Sequence, residues 1–228
     1  MGVAQPVHRP GDLAASAALH ADAVRSAGAR LVVFPELSLT GYDHAAPAVG
    51  VDDPVLEPIV EACAATGSTA LVGAPVSRGG LWHIATLGVT GAGAAVAYCK
   101  TFLGDDETAA FDPGPGPAVL EVDGWRLGLG ICKDTRITAH IEGTLALGVD
   151  LYVAGLVHRV HERAELAARA DRIVRQGGVP VAFASAAGFA GRLYPETAGH
   201  SAIWSSSGAV LARASDAPGE VATASLVR

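Results

Sequence analysis

Two kinds of connection link the apolar runs of this chain, and together they restrict the architectures open to it. Gly91-Ala92-Gly93 separates the runs Trp82 to Thr90 and Ala94 to Cys99, and Asp123-Gly124 separates Ala118 to Val122 from Trp125 to Ile131. Both are hairpin turn signals, which make the flanking strands antiparallel. Elsewhere the strands are joined through helical patterns. Leu13, Ala17, Ala21 and Val24 recur at helical spacing before the strand Leu31 to Phe34, and a helix over about Pro54 to Thr66 precedes the strand Thr69 to Val76. Further on, helices are predicted over Thr135 to Leu147 and His161 to Gln176, alternating with strands over Asp150 to Ala154 and Pro180 to Ala184. Strands over His200 to Ser205, Val210 to Arg213 and Val221 to Leu226 close the chain. Strand–helix–strand units mixed with hairpins require a mixed sheet, or two sheets, with helices outside.

With 228 residues, half of them hydrophobic, the chain can bury a substantial core, and a single domain over 1–228 is expected. A formal net charge of −7 argues against nucleic acid or an anionic membrane as partner. The arginines between Arg159 and Arg175 alternate with Glu162, Glu165 and Asp171, the pattern of an ion-paired solvated helix face. Cys63, Cys99 and Cys132 form an odd set without framework spacing, which suits a reducing compartment. The start Met-Gly-Val-Ala-Gln-Pro6 has no basic region followed by an apolar stretch, and no run is long enough to span a bilayer. A soluble cytoplasmic protein is expected.

Three chemically able side chains stand at strand ends. Glu36 follows Leu31 to Phe34, Lys100 follows the strand ending at Cys99, and Cys132 follows Leu127 to Ile131. A helix starting just beyond Cys132 would present N–H groups that favour thiolate. In the expected alternation Val96, Tyr98 and Lys100 share one face, and Gly128, Gly130 and Cys132 share another, leaving open space beneath the thiol. A thiolate can attack a carbonyl or nitrile carbon, a carboxylate can take the thiol proton and return it to a leaving amine, and an ammonium can stabilise the oxyanion. Asp134 and Thr135 read as helix N-caps.

Three segments carry these residues: Val33-Phe-Pro-Glu-Leu-Ser-Leu-Thr-Gly-Tyr42, Tyr98-Cys-Lys-Thr-Phe-Leu103 with Glu107 and Phe111-Asp-Pro-Gly114 behind it, and Gly128-Leu-Gly-Ile-Cys-Lys-Asp-Thr-Arg136. In this order they resemble the signature segments of the nitrilase superfamily, the carbon–nitrogen hydrolases, in its amidase-like branch. The resemblance implies a four-layer α-β-β-α sandwich, two mixed sheets packed face to face with helices outside, and a homodimer or assembly of dimers. It also implies Glu36 as general base and acid, Lys100 as oxyanion stabiliser, Cys132 as nucleophile and Glu107 as a second glutamate that orients substrate or the lysine. Tyr42, Lys133, Arg136 and His158 are candidate substrate contacts. Arg136 either pairs with a site carboxylate or binds a substrate carboxylate.

The chain departs from the pattern in two places. Ile137-Thr-Ala-His140 stands where the family continues with an aromatic, a proline and a glutamate, and the stretch from Arg169 to Gln176 lacks an acidic and amide pair. The substrate class therefore stays open. Hydrolysis of a small amide through a thioester leads, without cofactor. Ureido cleavage of an N-carbamoyl compound follows, then nitrile hydrolysis, disfavoured because Lys133-Asp134 replaces a Trp-Glu pair. Acyl transfer to an amine is chemically accessible, and a catalytically silent binding or scaffold protein is the rival from another class. His158 and His161 lack companion ligands in metal spacing, so no metal is expected.

Overall fold

The computed structural model describes residues 1–227. Its strands are β1 (Gly2–Gln5), β2 (Leu31–Val33), β3 (Thr69–Arg78), β4 (Leu81–Thr90), β5 (Gly93–Cys99), β6 (Ala118–Val122), β7 (Trp125–Ile131), β8 (Leu151–Leu156), β9 (Val181–Ser185), β10 (Ala187–Gly188), β11 (Thr197–Ala198), β12 (Ala202–Trp204), β13 (Val210–Arg213) and β14 (Glu220–Thr223). Its α-helices are α1 (Leu13–Ala27), α2 (Glu57–Thr66), α3 (Thr138–Leu145) and α4 (Arg163–Gly177). One sheet has the order β14-β1-β2-β3-β4-β5 and the other β13-β12-β9-β8-β7-β6. In each, strands joined by helices run parallel and hairpin partners run antiparallel.

Residue alternation explains the layering. In β8, Leu151 and Val153 face the other sheet, whereas Tyr152 and Ala154 face the helices; in β9, Ala182 and Ala184 divide from Val181 and Phe183 in the same way. Ala17, Ala21 and Val24 of α1 with Ile59 and Cys63 of α2 cover the first sheet, and Ile141 of α3 with Ala170, Ile173 and Val174 of α4 cover the second. Leu31, Val33, Leu71, Leu127, Leu129 and Ile203 fill the space between the sheets. Each fully buried large aliphatic of this kind contributes about 1.5–3 kcal/mol. The result is the α-β-β-α sandwich with two mixed sheets and helices outside. Among the described residues no helix is long and apolar enough to cross a membrane.

Several local expectations are corrected. Residues 132–136 form a single 3-10 turn and α3 starts only at Thr138, so no helix runs unbroken from Thr135. In β5 the pairing slips between Thr86 and Leu87, with Val96 opposite Leu87 and Tyr98 opposite Thr86. Ala97 is the extra residue of a bulge, so Val96 packs toward the helices while Tyr98 faces between the sheets. Gly128 and Gly130 do not open space beneath the thiol: a Cβ on either would strike Thr144 or the Tyr152 hydroxyl on the helix side. β1, β10 and β11 escape prediction because they are short and lack β-branched runs.

Candidate active site

Glu36 lies on a bend between the two sheets. Pro35 ends β2, Leu37 takes a φ of 49°, and the Ser38 and Leu39 N–H groups donate to Pro35 and Gly73 carbonyls. The bend fits because β3 and β8 each present a glycine to it. A Cβ on Gly73 would lie 2.2 Å from the Pro35 carbonyl oxygen, and one on Gly155 2.6 Å from that of Phe34. Both glycines are needed for close approach of backbone.

Lys100 enters from the end of β5, held by its N–H donating to Ile84 O and its carbonyl accepting from Gly114 N–H. Its Nζ donates to Glu36 Oε1 at 2.5 Å and to Glu107 Oε1 at 2.7 Å. Glu107 is fixed in turn, with Oε2 accepting from the Gly104 N–H at 2.6 Å and Oε1 accepting from the Tyr42 hydroxyl. Glu36, Lys100 and Glu107 are all almost fully buried. Burial disfavours the ammonium, but Glu36, Cys132 and Glu107 outweigh it and hold Lys100 above its ordinary range. Burial, reinforced by Glu107 and opposed by Lys100, lifts the Glu36 carboxyl to about 8. Glu107 goes the other way, because Lys100, Tyr42 and the Gly104 N–H together overcome its burial. Two carboxylates on one ammonium thus have divided proton affinities. Glu36 Oε2 is buried and has no hydrogen-bond partner among the described residues.

Cys132 completes the cluster from the second sheet, with a φ of 37° that a non-glycine residue rarely adopts. Such a conformation costs about 1–3 kcal/mol. Its Sγ donates to the Val157 carbonyl at 3.4 Å. Burial pushes the thiol up to about 12, Glu36 adds to this, and Lys100 and Arg169 pull it back. The resting group is therefore a thiol, and the expectation of a helix-stabilised thiolate is corrected: one short turn does not offset desolvation.

Asp134 and Thr135 are not N-caps of a following helix. Asp134 Oδ1 accepts from Phe102 N–H at 2.8 Å, and Oδ2 accepts from Ile131 N–H at 3.0 Å and the Tyr98 hydroxyl at 2.8 Å. Thr135 Oγ1 donates to the Cys132 carbonyl at 2.6 Å. His140 is part of the support, with its ring against the Tyr98 and Tyr152 hydroxyls.

A cavity of about 270 Å³ opens above the cluster, and Tyr42, Lys100, Glu107, Cys132, Arg169 and Tyr194 are among its lining residues. Lys133, Arg136 and His158 also border it. Lys133 is paired with Asp105 at 3.2 Å. Arg136 is exposed and makes no ion pair among the described residues, so the anticipated pairing with a site carboxylate is absent. His158 is buried with neither ring nitrogen partnered, and burial together with Arg169 and Arg136 lowers it to about 3, which makes it neutral. Among the described residues no group of three or more His, Cys, Asp or Glu side chains is placed to hold a metal.

Arg169, which the charge pattern places on a solvated face, is instead turned inward and buried, donating to the Cys132 carbonyl and to Thr135 Oγ1, each at 3.3 Å. Its spacing gave a signal: Leu166, Arg169, Ala170 and Ile173 lie on one helical stripe, and the arginine interrupts an otherwise apolar face. Tyr194 went unnoticed as well, because it reaches the cavity from the loop between β10 and β11.

A family model described as carbon-nitrogen hydrolase matches residues 2–228. A protein described as a hydrolase in the pqqF 5′ region of Pseudomonas protegens is 32% identical over 153 residues, which cover 63% of this chain and 54% of that protein. An (R)-stereoselective amidase of Pseudomonas sp. is 30% identical over 166 residues, covering 66% and 60%. The chain thus spans less than two thirds of the length of these two relatives. Among solved structures, the NitN amidase from Nesterenkonia sp. AN1 superposes with a TM-score of 0.85 at 25% identity, covering 99% of this chain and 92% of that one. A CN-hydrolase superfamily protein from Xanthomonas campestris with an arsenic adduct in its active site gives 0.85 at 19% identity, covering 97% and 88%.

Proposed function

Because the chain belongs to the carbon–nitrogen hydrolase family, we propose that residues 1–228 form one catalytic domain that hydrolyses a small amide through a thioester on Cys132. The observation that carries this is the free, buried Glu36 Oε2 beside an ammonium and a thiol. Glu36 in its ionised form takes the Cys132 proton on that oxygen, and the sulfur attacks the amide carbon. Lys100, kept charged by Glu36 and Glu107, stabilises the oxyanion. As the tetrahedral intermediate collapses, Glu36 returns the proton to the leaving nitrogen, ammonia departs and the acyl group stays on sulfur. Glu36 then takes a proton from water, whose oxygen attacks the thioester, and the acid leaves as the thiol is restored. Glu107 and Tyr42 hold Lys100 in place throughout.

The amidase similarities support this chemistry, as does covalent addition at the active-site cysteine in a glutamate-to-glutamine mutant of the Nesterenkonia amidase, with acrylamide and with the acetamide moiety of fluoroacetamide. The three unpaired cysteines suit a cytoplasmic setting. No cofactor is needed, and the same reading expects a homodimer or an assembly of dimers. Ureido cleavage is the second reading, favoured by the unpaired guanidinium of Arg136 at the cavity, which a substrate carboxylate would satisfy. Ammonia release across a panel of small amides, ureido acids and nitriles tests both. Amide turnover abolished in Cys132→Ala supports the first, carbon dioxide appearing with the ammonia supports the second, and full activity in the variant overturns both.

A further inference from the structure

We infer that α4 carries a two-arginine clamp for the turn that bears Cys132, with Arg169 as the positioning residue that holds the thiol in its left-handed conformation and adds a buried positive charge beside it. This rests on the reading of Cys132 as nucleophile and says what keeps that nucleophile aimed.

The geometry is specific. Arg169 and Arg172 stand three apart on α4, on neighbouring turns of its surface. Arg169 Nη1 donates to the carbonyl of Cys132, the first residue of the 132–136 turn, and Arg172 Nη1 donates at 3.1 Å to the carbonyl of Arg136, the last. The turn is therefore held at both ends by one rigid element. Its middle is held by Asp134, and Thr135 Oγ1 donates to the same Cys132 carbonyl that Arg169 reaches. Ile131 is held in β7 and by Asp134, and two donors on the Cys132 carbonyl fix the peptide plane that follows, so the strained φ of 37° between them is held from both sides. A backbone held in a sparsely populated region persists only when its surroundings over-determine it.

Charge gives Arg169 a second part. Around Cys132 stand Glu36, Lys100 and Glu107 from the side of the first sheet, Arg169 from α4, the Tyr42 and Tyr194 hydroxyls from loops, and Lys133, Arg136 and His158 on the shared cavity. Lys100 is bracketed by two buried carboxylates that cancel much of its field. The acid partner of Arg169, Glu165, lies 3.5 Å away and is more than half exposed, so solvent screens it while the guanidinium stays buried. Arg169 thus bears on the thiol with little compensation, and Arg172, at the far end of the turn, acts through position alone.

The test compares the unaltered protein with Cys132→Ala, Arg169→Met, Arg169→Lys and Arg172→Met. Three quantities are read: Cys132 alkylation by iodoacetamide across pH, mapped by peptide mass; kcat and KM for the best small amide; and folding by circular dichroism. In Arg169→Met, kcat should fall about 10²-fold with KM little changed, and the alkylation midpoint should move up by about one pH unit. Arg169→Lys should return the midpoint while leaving kcat well below the parent, because an ammonium cannot reproduce the forked contact. Arg172→Met should lower kcat without moving the midpoint. An Arg169→Met protein with parental kcat and midpoint overturns the inference. If that variant does not fold, Arg169→Lys decides, and parental values in both quantities overturn it. A parent whose Cys132 is alkylated no faster than Cys63 and Cys99, and which turns over no amide, removes the nucleophile reading itself and the clamp with it.

Discussion

The Tyr98 hydroxyl donates to Asp134 Oδ2 at 2.8 Å, and through this bond the strand that leads into Lys100 is tied to the turn that begins with Cys132. The two residues belong to opposite sheets, so one carboxylate sets the register of both halves of the site. Asp134→Asn replaces one acceptor oxygen by a donor facing donors, and should cost about 2–3 kcal/mol. Urea titration reads that loss. Turnover should fall further than stability accounts for, since Phe102 and Ile131 N–H groups flank both catalytic candidates.

Glu36 depends on two absences. Gly155→Ala or Gly73→Ala would drive a methyl group into the backbone of the bend and displace the carboxylate, so amide turnover should drop by about 10²-fold. Gly88→Ala is the matched control, since a Cβ there meets nothing nearer than 3.6 Å. Steady-state assays and thermal melting of the three proteins check this, and parental activity in Gly155→Ala would contradict the placement of Glu36.

The layered fold could be read in the sequence because its signals are local. Hairpin glycines, helix periodicity and β-branched runs such as Leu31 to Val33 each act within a few residues. The convergence of Glu36, Lys100, Glu107 and Cys132 was anticipated from strand ends and family resemblance, and their roles remain a proposal. What escaped reading was set by long-range packing. The bulge at Ala97 is invisible in a run of alanines, and Cys132 does not share the outward face of Gly128 and Gly130 because its positive φ takes it out of the strand's alternation. Arg169 looked like a solvated charge because its buried partners are the Cys132 carbonyl, 37 residues away, and Thr135.

Buried histidines predict how stability depends on pH. Burial lowers His8 to about 3 and His20 to about 4, and His158 also falls to about 3. Their ordinary value is 6.5, so below that pH the unfolded chain takes up protons that the native state refuses, and stability falls as pH falls. Glu36 has the opposite sign between 4.5 and about 8, because there the native state binds the extra proton. These three histidines against one carboxyl leave a net loss of up to about 2–3 kcal/mol per pH unit between pH 6.5 and 4.5, and His140 and His200, also lowered by burial, add to it in the same direction. Urea midpoints at pH 6.5 and 5 measure it. His8→Leu, which removes two unpartnered buried nitrogens, should lower the slope by up to about 1.4 kcal/mol per pH unit.

Activity should rise with pH as well. If Glu36 must be ionised to accept the thiol proton, kcat/KM rises with pH through a limb centred near 8. Glu36→Gln should abolish both the limb and the activity while melting within a few degrees of the parent. A pH profile flat from 6 to 9 in the unaltered protein would remove Glu36 from the proton transfer.

Intact-protein mass spectrometry after rapid mixing with a small amide tests the central claim most directly. The account predicts a transient mass increase equal to the acyl group, mapped to the peptide carrying Cys132, appearing together with ammonia and absent from Cys132→Ala. Ammonia released at the parental rate by Cys132→Ala, or an adduct carried on a different residue, would contradict it.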